Sequence, residues 1–147
     1  MTIRAFIDAN IIIDLLADRA PFADAAACLF EAIRSRSLRG FTSANCLANI
    51  HYVLSHVSRQ RTIRQKIAGV RRLLDIVPTD AAIIDRALAS DLDDFEDAIQ
   101  YYSAMAREAG YIVTRDPSGF AKSAIRVVDA EELNGIIDRQ RESKRPE

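Results

Sequence analysis

Short apolar segments alternate with longer segments of helical period along this chain, and that alternation limits the possible folds more than any other feature. The segments typical of buried strands lie at residues 3–7, 40–42, 76–77, 111–114 and 125–128. Between them, apolar residues recur every three or four positions, as at Phe22, Ala26, Leu29 and Ile33, which predicts amphipathic helices. Strands separated by helices favour a mainly parallel sheet with helices on both faces. The sequence therefore predicts an α/β fold.

Polar residues indicate where several helices begin. Ser43 is expected to cap a helix whose apolar side runs to Val57. Thr62, with Gln65 three residues later, resembles a capping box and is predicted to open a basic helix. Asp129 is predicted to cap the last helix, after which the sequence becomes strongly charged. We therefore expect a single domain over residues 1–138 and a charged C-terminal tail over residues 139–147.

Length and composition agree with one globular domain. Of the 147 residues, 49% are hydrophobic and 28% are charged, as in ordinary soluble proteins. No apolar run approaches the roughly 18 residues that span a bilayer, and Asp8 interrupts any signal peptide at the N-terminus. We expect a cytoplasmic protein that makes no membrane contact. Cys28 and Cys46 have apolar neighbours and are expected to be small core residues.

Charge is distributed unevenly, although the whole chain is close to neutral. The net charge is −1 at pH 7, which lacks the strong basic excess of many nucleic-acid-binding proteins. From Arg59 to Arg72 there are six basic residues and no acid, whereas residues 75–97 hold eight acids and only one basic residue, Arg86. The basic run by itself is as consistent with a solvated helix face as with a surface that contacts phosphates. The acidic run requires a more specific explanation.

Aspartates occupy the positions at which parallel sheets bind ligands. Asp8 follows the first predicted strand and Asp116 follows the strand at residues 111–114. Ligands bind beyond the carboxyl ends of such strands. Asp94 and Asp97 lie at a predicted helix start and share one face of that helix, because they are three residues apart. We expect these carboxylates to meet in one pocket.

Each aspartate also has an ordinary structural explanation. Acids near a helix N-terminus are stabilised by the helix dipole, Asp116 precedes a proline in a turn, and Asp8 can simply end a strand. Their joint placement favours a functional site. Crowded carboxylates without a basic partner repel one another, so such a pocket most naturally holds a hard cation, Mg²⁺ or Mn²⁺. These ions polarise a phosphoryl oxygen and supply a nucleophilic water, so the pattern predicts cleavage of a phosphodiester bond.

With these residues identified, the sequence resembles the PIN-domain family and, within it, the toxins of VapC-type toxin–antitoxin pairs. The segments that carry the resemblance are FIDANIIIDLL at residues 6–16, DFEDAIQYYSA at 94–104 and IVTRD at 112–116. The resemblance covers nearly the whole chain and implies a three-layer fold, a homodimer, and an antitoxin that covers the acidic groove. It also implies a quartet of acidic residues that holds Mg²⁺ or Mn²⁺ and cleaves single-stranded RNA.

The resemblance assigns three of the four acids directly. Asp8 matches the first acid, Asp97 the third and Asp116 the fourth, while Asn10 matches the polar residue beside the first. Asn49 stands where many of these toxins carry the second acid, a glutamate. The amide oxygen of asparagine can approach a metal but brings no negative charge. One acid of the family quartet is therefore missing.

Two other aspartates are candidates to replace the missing acid. Asp14 lies about one and a half turns beyond Asp8 on a predicted short helix, and Asp94 shares a helix face with Asp97. For Asp14, we slightly favour the simpler interpretation of an acid on the helix surface. If neither residue contributes, metal affinity is expected to fall.

Further residues are predicted to support the reaction or to hold the substrate. Thr114 and Ser43 are expected to assist the site from neighbouring loops. The basic residues expected to contact RNA phosphates without reading the base sequence are Arg59, Arg61, Arg64 and Lys66.

Two other functions fit parts of the sequence. A phosphatase of the haloacid-dehalogenase type also has an aspartate after its first strand, but it requires a second aspartate where this chain has Asn10. It also requires a catalytic lysine, for which no position stands out. A catalytically weak PIN domain that binds RNA or a partner protein is the other alternative, because of Asn49. Turnover of RNA distinguishes these possibilities.

Overall fold

Five parallel strands form the centre of the molecule. The structure is a computed structural model that describes residues 2–145. Its strands are β1 (Ile3–Ile7), β2 (Leu38–Ser43), β3 (Asp75–Val77), β4 (Tyr111–Val113) and β5 (Arg126–Val128). They form one sheet in the order β3-β2-β1-β4-β5, and every neighbouring pair is parallel. The predicted parallel sheet is confirmed.

Helices cover both faces of this sheet. The α-helices of the described residues are α1 (Ala9–Leu16), α2 (Ala23–Arg34), α3 (Ala44–Leu54), α4 (Gln60–Leu73), α5 (Ala81–Ala89), α6 (Phe95–Ala106) and α7 (Ala130–Ser143), and a 3₁₀ helix covers Pro117–Phe120. Ala5, Phe6 and Ile7 are consecutive residues of β1, and all three are fully buried. Successive side chains of a strand point to opposite faces, so both faces of β1 are covered. The α/β fold with flanking helices is as predicted.

The hydrophobic core holds the helices in fixed positions on the sheet. Leu29 of α2, Ile50 of α3 and Ile63 of α4 are completely buried in one cluster with the central strands. Burying one such side chain contributes roughly 1.5–3 kcal/mol to folding. Helix α3 begins at the residue after the end of β2, and Asp8 alone separates the end of β1 from the start of α1. The core therefore fixes their N-terminal residues at the carboxyl edge of the sheet, where the acidic residues lie.

Three local predictions are wrong. Cys28 is exposed, whereas Cys46 is buried as expected. Val57 is 74% exposed, because α3 has already ended before it. The basic helix α4 starts ahead of Thr62, with Arg59 at its N-cap position and no side-chain capping hydrogen bond. The capping-box pattern was therefore a chance match within the first turn of the helix.

The last helix is longer than the sequence indicated. Asp129 caps α7 as predicted, with its side chain accepting a hydrogen bond from the first turn. The helix continues to Ser143, into the segment predicted as a charged tail. Arg141 donates hydrogen bonds to Ser35 Oγ and Ser37 Oγ, which connect this part of α7 to the turn before β2. In the part of the chain that the structure describes, no helix combines the length and the apolar character that crossing a membrane requires.

Candidate active site

The first site residue lies where the two central strands end. Ile7 of β1 is in register with Val113 of β4, and the Asp8 backbone N–H donates to the Val113 carbonyl at 2.9 Å. Asp8 is also the N-cap of α1, and its Oδ1 accepts a hydrogen bond of 2.8 Å from the Ala9 N–H. The Asp8 backbone is therefore held by the sheet, and its carboxylate is held by a helix N-terminus.

The Thr114 hydroxyl connects three of the predicted site residues. It donates to Asp8 Oδ2 at 2.8 Å, and it accepts from Asn10 Nδ2 at 3.0 Å and from the Asp116 N–H at 3.1 Å. One donor and two acceptor positions are all that a hydroxyl offers, so its hydrogen-bonding capacity is fully used. Thr114 thus fixes the orientation of Asp8, Asn10 and the backbone of Asp116 relative to one another.

Asp97 reaches the same region from helix α6. Asp94 is the N-cap of α6, and its Oδ1 accepts a hydrogen bond of 2.9 Å from the Asp97 N–H. Gly119 of the 3₁₀ helix packs directly against the Asp97 carboxylate. A Cβ at residue 119 would lie 2.7 Å from Asp97 Cγ and even closer to its Oδ2. The loop that follows β4 can approach Asp97 only because residue 119 has no side chain.

The pKa values of two aspartates show how these carboxylates affect one another. Burial, followed by the charges of Asp94, Asp8, Asp116 and Glu96, raises the pKa of Asp97 to about 6. Burial also raises the pKa of Asp8, and the charge of Asp116 adds to this, although hydrogen bonds from Thr114 and the Ala9 N–H oppose it. Asp8, Asp94 and Asp116 therefore lie close enough to Asp97 for their charges to act on its carboxylate. We call these four residues the acidic cluster.

The acidic cluster has no basic partner in the described structure. Within residues 2–145, no lysine or arginine forms an ion pair with any of its four members. The donor atoms are carboxylate oxygens, together with the Asn10 amide and the Thr114 hydroxyl, which suit Mg²⁺ or Mn²⁺ better than a soft metal. The residues from 2 to 145 contain no group of three or more His, Cys, Asp or Glu side chains already arranged around one point as metal ligands. The type of donor therefore fits a hard cation, and its ligands would have to close around it.

Asp14 lies apart from the acidic cluster. It is completely buried, and Arg115 donates to both of its carboxylate oxygens, from Nε at 2.6 Å and from Nη2 at 2.9 Å. The same guanidinium stacks on the Phe22 ring, 3.9 Å from its centroid. The interpretation of Asp14 as a surface acid is therefore wrong. Its charge is already matched by Arg115, which makes it a poor replacement for the missing second acid.

Arg115 connects this buried ion pair to the acidic cluster. Its backbone N–H donates to Asn10 Oδ1 at 3.2 Å, and the next residue is Asp116. Asp14 therefore acts on the site from a distance, by fixing the loop that carries Asp116. Sequence reasoning missed Arg115, although its place between Thr114 and Asp116 was a usable signal.

Ser43 links two of the elements around the acidic cluster through hydrogen bonds. It caps α3 by accepting a hydrogen bond of 3.0 Å from the Cys46 N–H, and its hydroxyl donates to Gln100 Oε1 at 2.6 Å. Gln100 is buried one turn beyond Asp97 on α6. Ser43 therefore connects the end of β2 to the helix that carries Asp97. Neither Gln100 nor Gly119 was identified from the sequence, because their roles depend on contacts with residues that are distant along the chain.

Asn49 and Cys46 both lie on α3, but only Cys46 is fully buried. Asn49 is half-buried and forms no side-chain hydrogen bond with any residue from 2 to 145, so its amide is free. Burial, and secondarily the charge of Asp8, raises the pKa of Cys46 to about 11. Its thiol therefore stays protonated at neutral pH and does not act as a thiolate ligand.

The basic residues predicted to contact RNA divide into two groups. Arg59, Arg61 and Arg64 are exposed at the start of α4. Lys66 is half-buried, and its Nζ donates to the Leu16 carbonyl at the end of α1, at 2.7 Å. In this structure Lys66 therefore satisfies a helix C-terminus, whereas the three arginines are free to contact a ligand.

Comparison with known proteins identifies the family of this chain. The sequence pattern of the PIN domain matches residues 4–118. The chain is 25% identical to ribonuclease VapC1 of Aquifex aeolicus (strain VF5) over an alignment of 135 residues, gaps included, which covers 88% of this chain and 92% of the relative.

Solved structures share the fold at lower sequence identity. A toxin–antitoxin complex from Klebsiella pneumoniae matches 86% of this chain and 97% of its own, with a TM-score of 0.64 and 20% identity. VapC20 of Mycobacterium tuberculosis, described as a toxin that cleaves the sarcin–ricin loop, matches 80% of this chain and 94% of its own, with a TM-score of 0.64 and 15% identity. The matched range contains the positions of Asp8, Asp97 and Asp116, and the chain belongs to the PIN-domain family.

Proposed function

We propose that this protein is a Mg²⁺- or Mn²⁺-dependent endoribonuclease that cleaves single-stranded RNA. The observation that carries the proposal is the acidic cluster at the carboxyl edge of the sheet, in which no Lys or Arg pairs with any of the four carboxylates of the described chain. Like charges gathered in this way are unfavourable unless a cation or a proton neutralises them. Membership of the PIN-domain family and the similarity to a ribonuclease support the same activity.

The residues that would hold the metal are Asp8, Asp97 and Asp116. A bound Mg²⁺ or Mn²⁺ would polarise the phosphoryl oxygen and lower the pKa of a coordinated water. Asp8 keeps its orientation through Thr114 and the Ala9 N–H, so its oxygens need little rearrangement. Asp97 is positioned by the start of α6 and by the close approach of Gly119.

Asp94 is the better candidate to replace the missing second acid. Its charge contributes to the raised pKa of Asp97, and its carboxylate already contacts the Asp97 backbone. Asp14, in contrast, is neutralised by Arg115. Asn49 would then supply at most a neutral oxygen. We therefore assign four carboxylates to the site, in a different arrangement from that of the family quartet.

The substrate strand would be held by the exposed start of α4. Arg59, Arg61 and Arg64 lie on one segment and are not engaged in ion pairs with the described residues. Contacts from arginine to phosphates orient a strand without selecting its sequence. Lys66 is left out of this set, because it is bonded to Leu16.

The decisive experiment is cleavage of single-stranded RNA by purified protein that is free of any copurifying partner. Asp8→Asn and Asp97→Asn are each expected to reduce cleavage at least about a hundredfold, since each removes a charged ligand. Chelation by EDTA is expected to abolish it, and added Mn²⁺ or Mg²⁺ to restore it. Asp85→Asn is the matched control, because Asp85 is an exposed acid on α5, outside the acidic cluster. Cleavage that persists in both active-site variants, or in EDTA, would overturn the proposal.

The same protein is proposed to be the toxin of a type II toxin–antitoxin pair, acting in the cytoplasm as a homodimer. The support is its similarity to VapC1 and the fold that it shares with a toxin–antitoxin complex from Klebsiella pneumoniae. A cognate antitoxin would inhibit by covering the acidic cluster. Expression with a small neighbouring reading frame is expected to yield a stable complex that does not cleave RNA, and light scattering of the free protein to give the mass of a dimer. A monomer that no neighbouring gene product binds would contradict this part.

A second candidate function is a PIN domain that binds RNA or protein but turns it over poorly. The unpaired amide of Asn49, in place of an acid, favours it. Under that alternative, RNA binds with measurable affinity, while Mg²⁺ and Mn²⁺ leave its length unchanged over hours. Binding and cleavage measured on the same labelled RNA separate the two functions.

A further inference from the structure

A cleft lined by arginines lies at the opposite edge of the sheet from the acidic cluster. Arg4 of β1 and Arg39 of β2 are directly adjacent in the parallel register, near the amino ends of these strands. The cleft has a volume of about 830 Å³. Its basic lining residues, which we call the arginine cleft, are Arg4, Arg34, Arg36, Arg39 and Arg72.

The arginine cleft carries uncompensated positive charge. Arg34 pairs with Glu31 and Arg39 pairs with Asp75. The remaining three, Arg4, Arg36 and Arg72, have no acidic partner within residues 2–145. Like charges that share a cleft repel one another unless an anion lies between them. The cleft is therefore suited to a ligand with several negative charges.

Arg4 is held in position by contacts of its side chain, whereas Arg36 is placed by the backbone turn in which it lies. Arg4 donates to the Arg107 carbonyl from Nε at 3.2 Å and from Nη2 at 2.6 Å, and its guanidinium lies 4.7 Å from the centroid of the Phe41 ring. Arg36 occupies the turn between α2 and β2 with a φ of 66°, a conformation that glycine or asparagine adopts more easily.

The basic surface extends beyond the arginine cleft. Thr2 and Arg36 also line a neighbouring smaller cleft, whose other walls include Arg141 and Lys144 of the C-terminal end of α7. A ligand longer than one small ion can therefore meet positive side chains in both clefts. This continuity favours a chain of phosphates over a single anion.

The composition of the arginine cleft favours phosphates over an acidic protein. Protein interfaces generally need a central apolar anchor. The large apolar side chains that are exposed in the described structure all lie elsewhere, at Phe22, Tyr52, Val57, Leu88, Phe95 and Met105. Guanidinium groups, in contrast, match the geometry of phosphate oxygens and bind them through paired hydrogen bonds.

We propose that the arginine cleft binds backbone phosphates of RNA at a distance from the bond that is cleaved. This inference rests on the proposed ribonuclease function. β1 has five residues, so the two edges of the sheet are separated by about 17 Å at a rise of about 3.3 Å per residue. An RNA that contacts both sites must also pass around the helices that cover the sheet, each about 10 Å across, so its path is roughly twice that distance. A stacked strand of about five nucleotides, at about 3.4 Å per nucleotide, is too short for that path. The preferred substrate is therefore a longer or folded RNA that reaches around the molecule.

The test compares RNA binding by paired variants in EDTA, where no cleavage takes place. Arg36→Gln with Arg72→Gln removes two uncompensated charges and keeps a polar side chain at each position. The control, Arg86→Gln with Arg126→Gln, removes the same charge from two arginines outside the arginine cleft. Fluorescence anisotropy measures binding of a labelled RNA of about 25 nucleotides and one of about five, over a range of salt concentrations, and circular dichroism verifies the fold of each variant.

The cleft variant is expected to bind the long RNA about tenfold more weakly, since two charge-assisted contacts are lost. The slope of log affinity against log salt concentration is expected to be shallower by about 1.4. Each phosphate contact on a single strand contributes about 0.7 to this slope, and the variant loses two contacts. Binding of the short RNA is expected to change less than twofold, and the control variant to match the wild type with both RNAs.

Several outcomes would overturn the inference. One is unchanged affinity and salt slope for the long RNA in the cleft variant. Another outcome is that tripolyphosphate binds the wild type but not the cleft variant, while both proteins bind long RNA equally. The arginine cleft would then bind a free phosphate ligand and not RNA. A third outcome is that an acidic protein binds the wild type but not the cleft variant, while RNA binding is the same for both. None of these measurements involves catalysis, so each leaves the proposed ribonuclease activity standing, whereas loss of metal-dependent cleavage in the wild type would remove that activity alone.

Discussion

The two edges of the sheet carry opposite charge, and they hold it in different ways. At the carboxyl edge, Asp8 is fixed by Thr114 and by a helix N-terminus, and Gly119 packs directly against the Asp97 carboxylate. At the amino edge, long arginine side chains line an open cleft, and their ion pairs with acids are exposed to solvent. Fixed short carboxylates suit a reaction that needs defined geometry, and long arginine side chains in an open cleft suit contacts with the phosphates of a substrate of variable shape. If both proposals hold, chemistry and remote substrate binding are separated within one small domain.

The largest effect is expected from enlarging Gly119. This change tests how strongly activity depends on the position of the Asp97 carboxylate. In Gly119→Ala, the new Cβ would overlap the Asp97 carboxylate, which must move. A displacement of about 1 Å can reduce catalysis about a hundredfold, so we expect a loss of that size in kcat. Gly69→Ala is the matched control, because a Cβ at residue 69 meets nothing within 4 Å. Equal activity of the two variants would mean that the position of Asp97 does not matter.

The second prediction concerns the buried ion pair that supports the acidic edge. Arg115→Met leaves the carboxylate of Asp14 buried without its main partner, and we expect a loss of about 3 kcal/mol in the free energy of unfolding. Arg34→Gln, at the amino edge, breaks an exposed pair and is expected to have little effect. Urea unfolding measures both.

A double variant shows whether the effect of Arg115→Met comes from the unpaired acid. Asp14→Leu combined with Arg115→Met removes both charges, so it should recover most of the stability. A double variant as unstable as Arg115→Met alone would point to lost packing on Phe22 instead.

The sequence predicted the regular parts of the molecule well, because local patterns determine them. Apolar runs predicted all five strands, and the acids that follow β1 and β4 lie at one edge because parallel strands end together. The pairing of Asp14 with Arg115 was missed, since their hydrogen bonds join residues far apart along the chain. The same holds for Gly119 against Asp97 and for the arginine cleft. These features depend on side-chain contacts that no local period reports.

The third prediction concerns Asn49, the position at which the family resemblance expects the second acid. Asn49→Glu adds a charged oxygen where α3 has a half-buried, unbonded amide. If residue 49 reaches the metal, the apparent Mg²⁺ affinity of cleavage should rise about tenfold, because carboxylates bind this ion much more strongly than amides do. Asn45→Glu, one turn earlier on α3, is the control and should change it less. An unchanged Mg²⁺ dependence would indicate that Asp94 already fills the role.

The smallest effect is expected in the thermal stability of the metal-free protein as pH varies. Burial and neighbouring carboxylates raise the pKa of Asp97 from 3.8 to about 6, so the folded state favours its protonated form. Ionised Asp97 therefore lowers stability fully above about pH 6, and this penalty fades as pH falls through 6 and is absent below about 4. Asp97→Asn should consequently melt a few degrees above the wild type at pH 8 in EDTA, and at the same temperature near pH 4. Calorimetry of both proteins measures the difference, with Asp85→Asn as the control. A difference that stays constant from pH 4 to pH 8 would show that the charges of the acidic edge do not oppose folding, and the contrast with the amino edge would then rest on geometry alone.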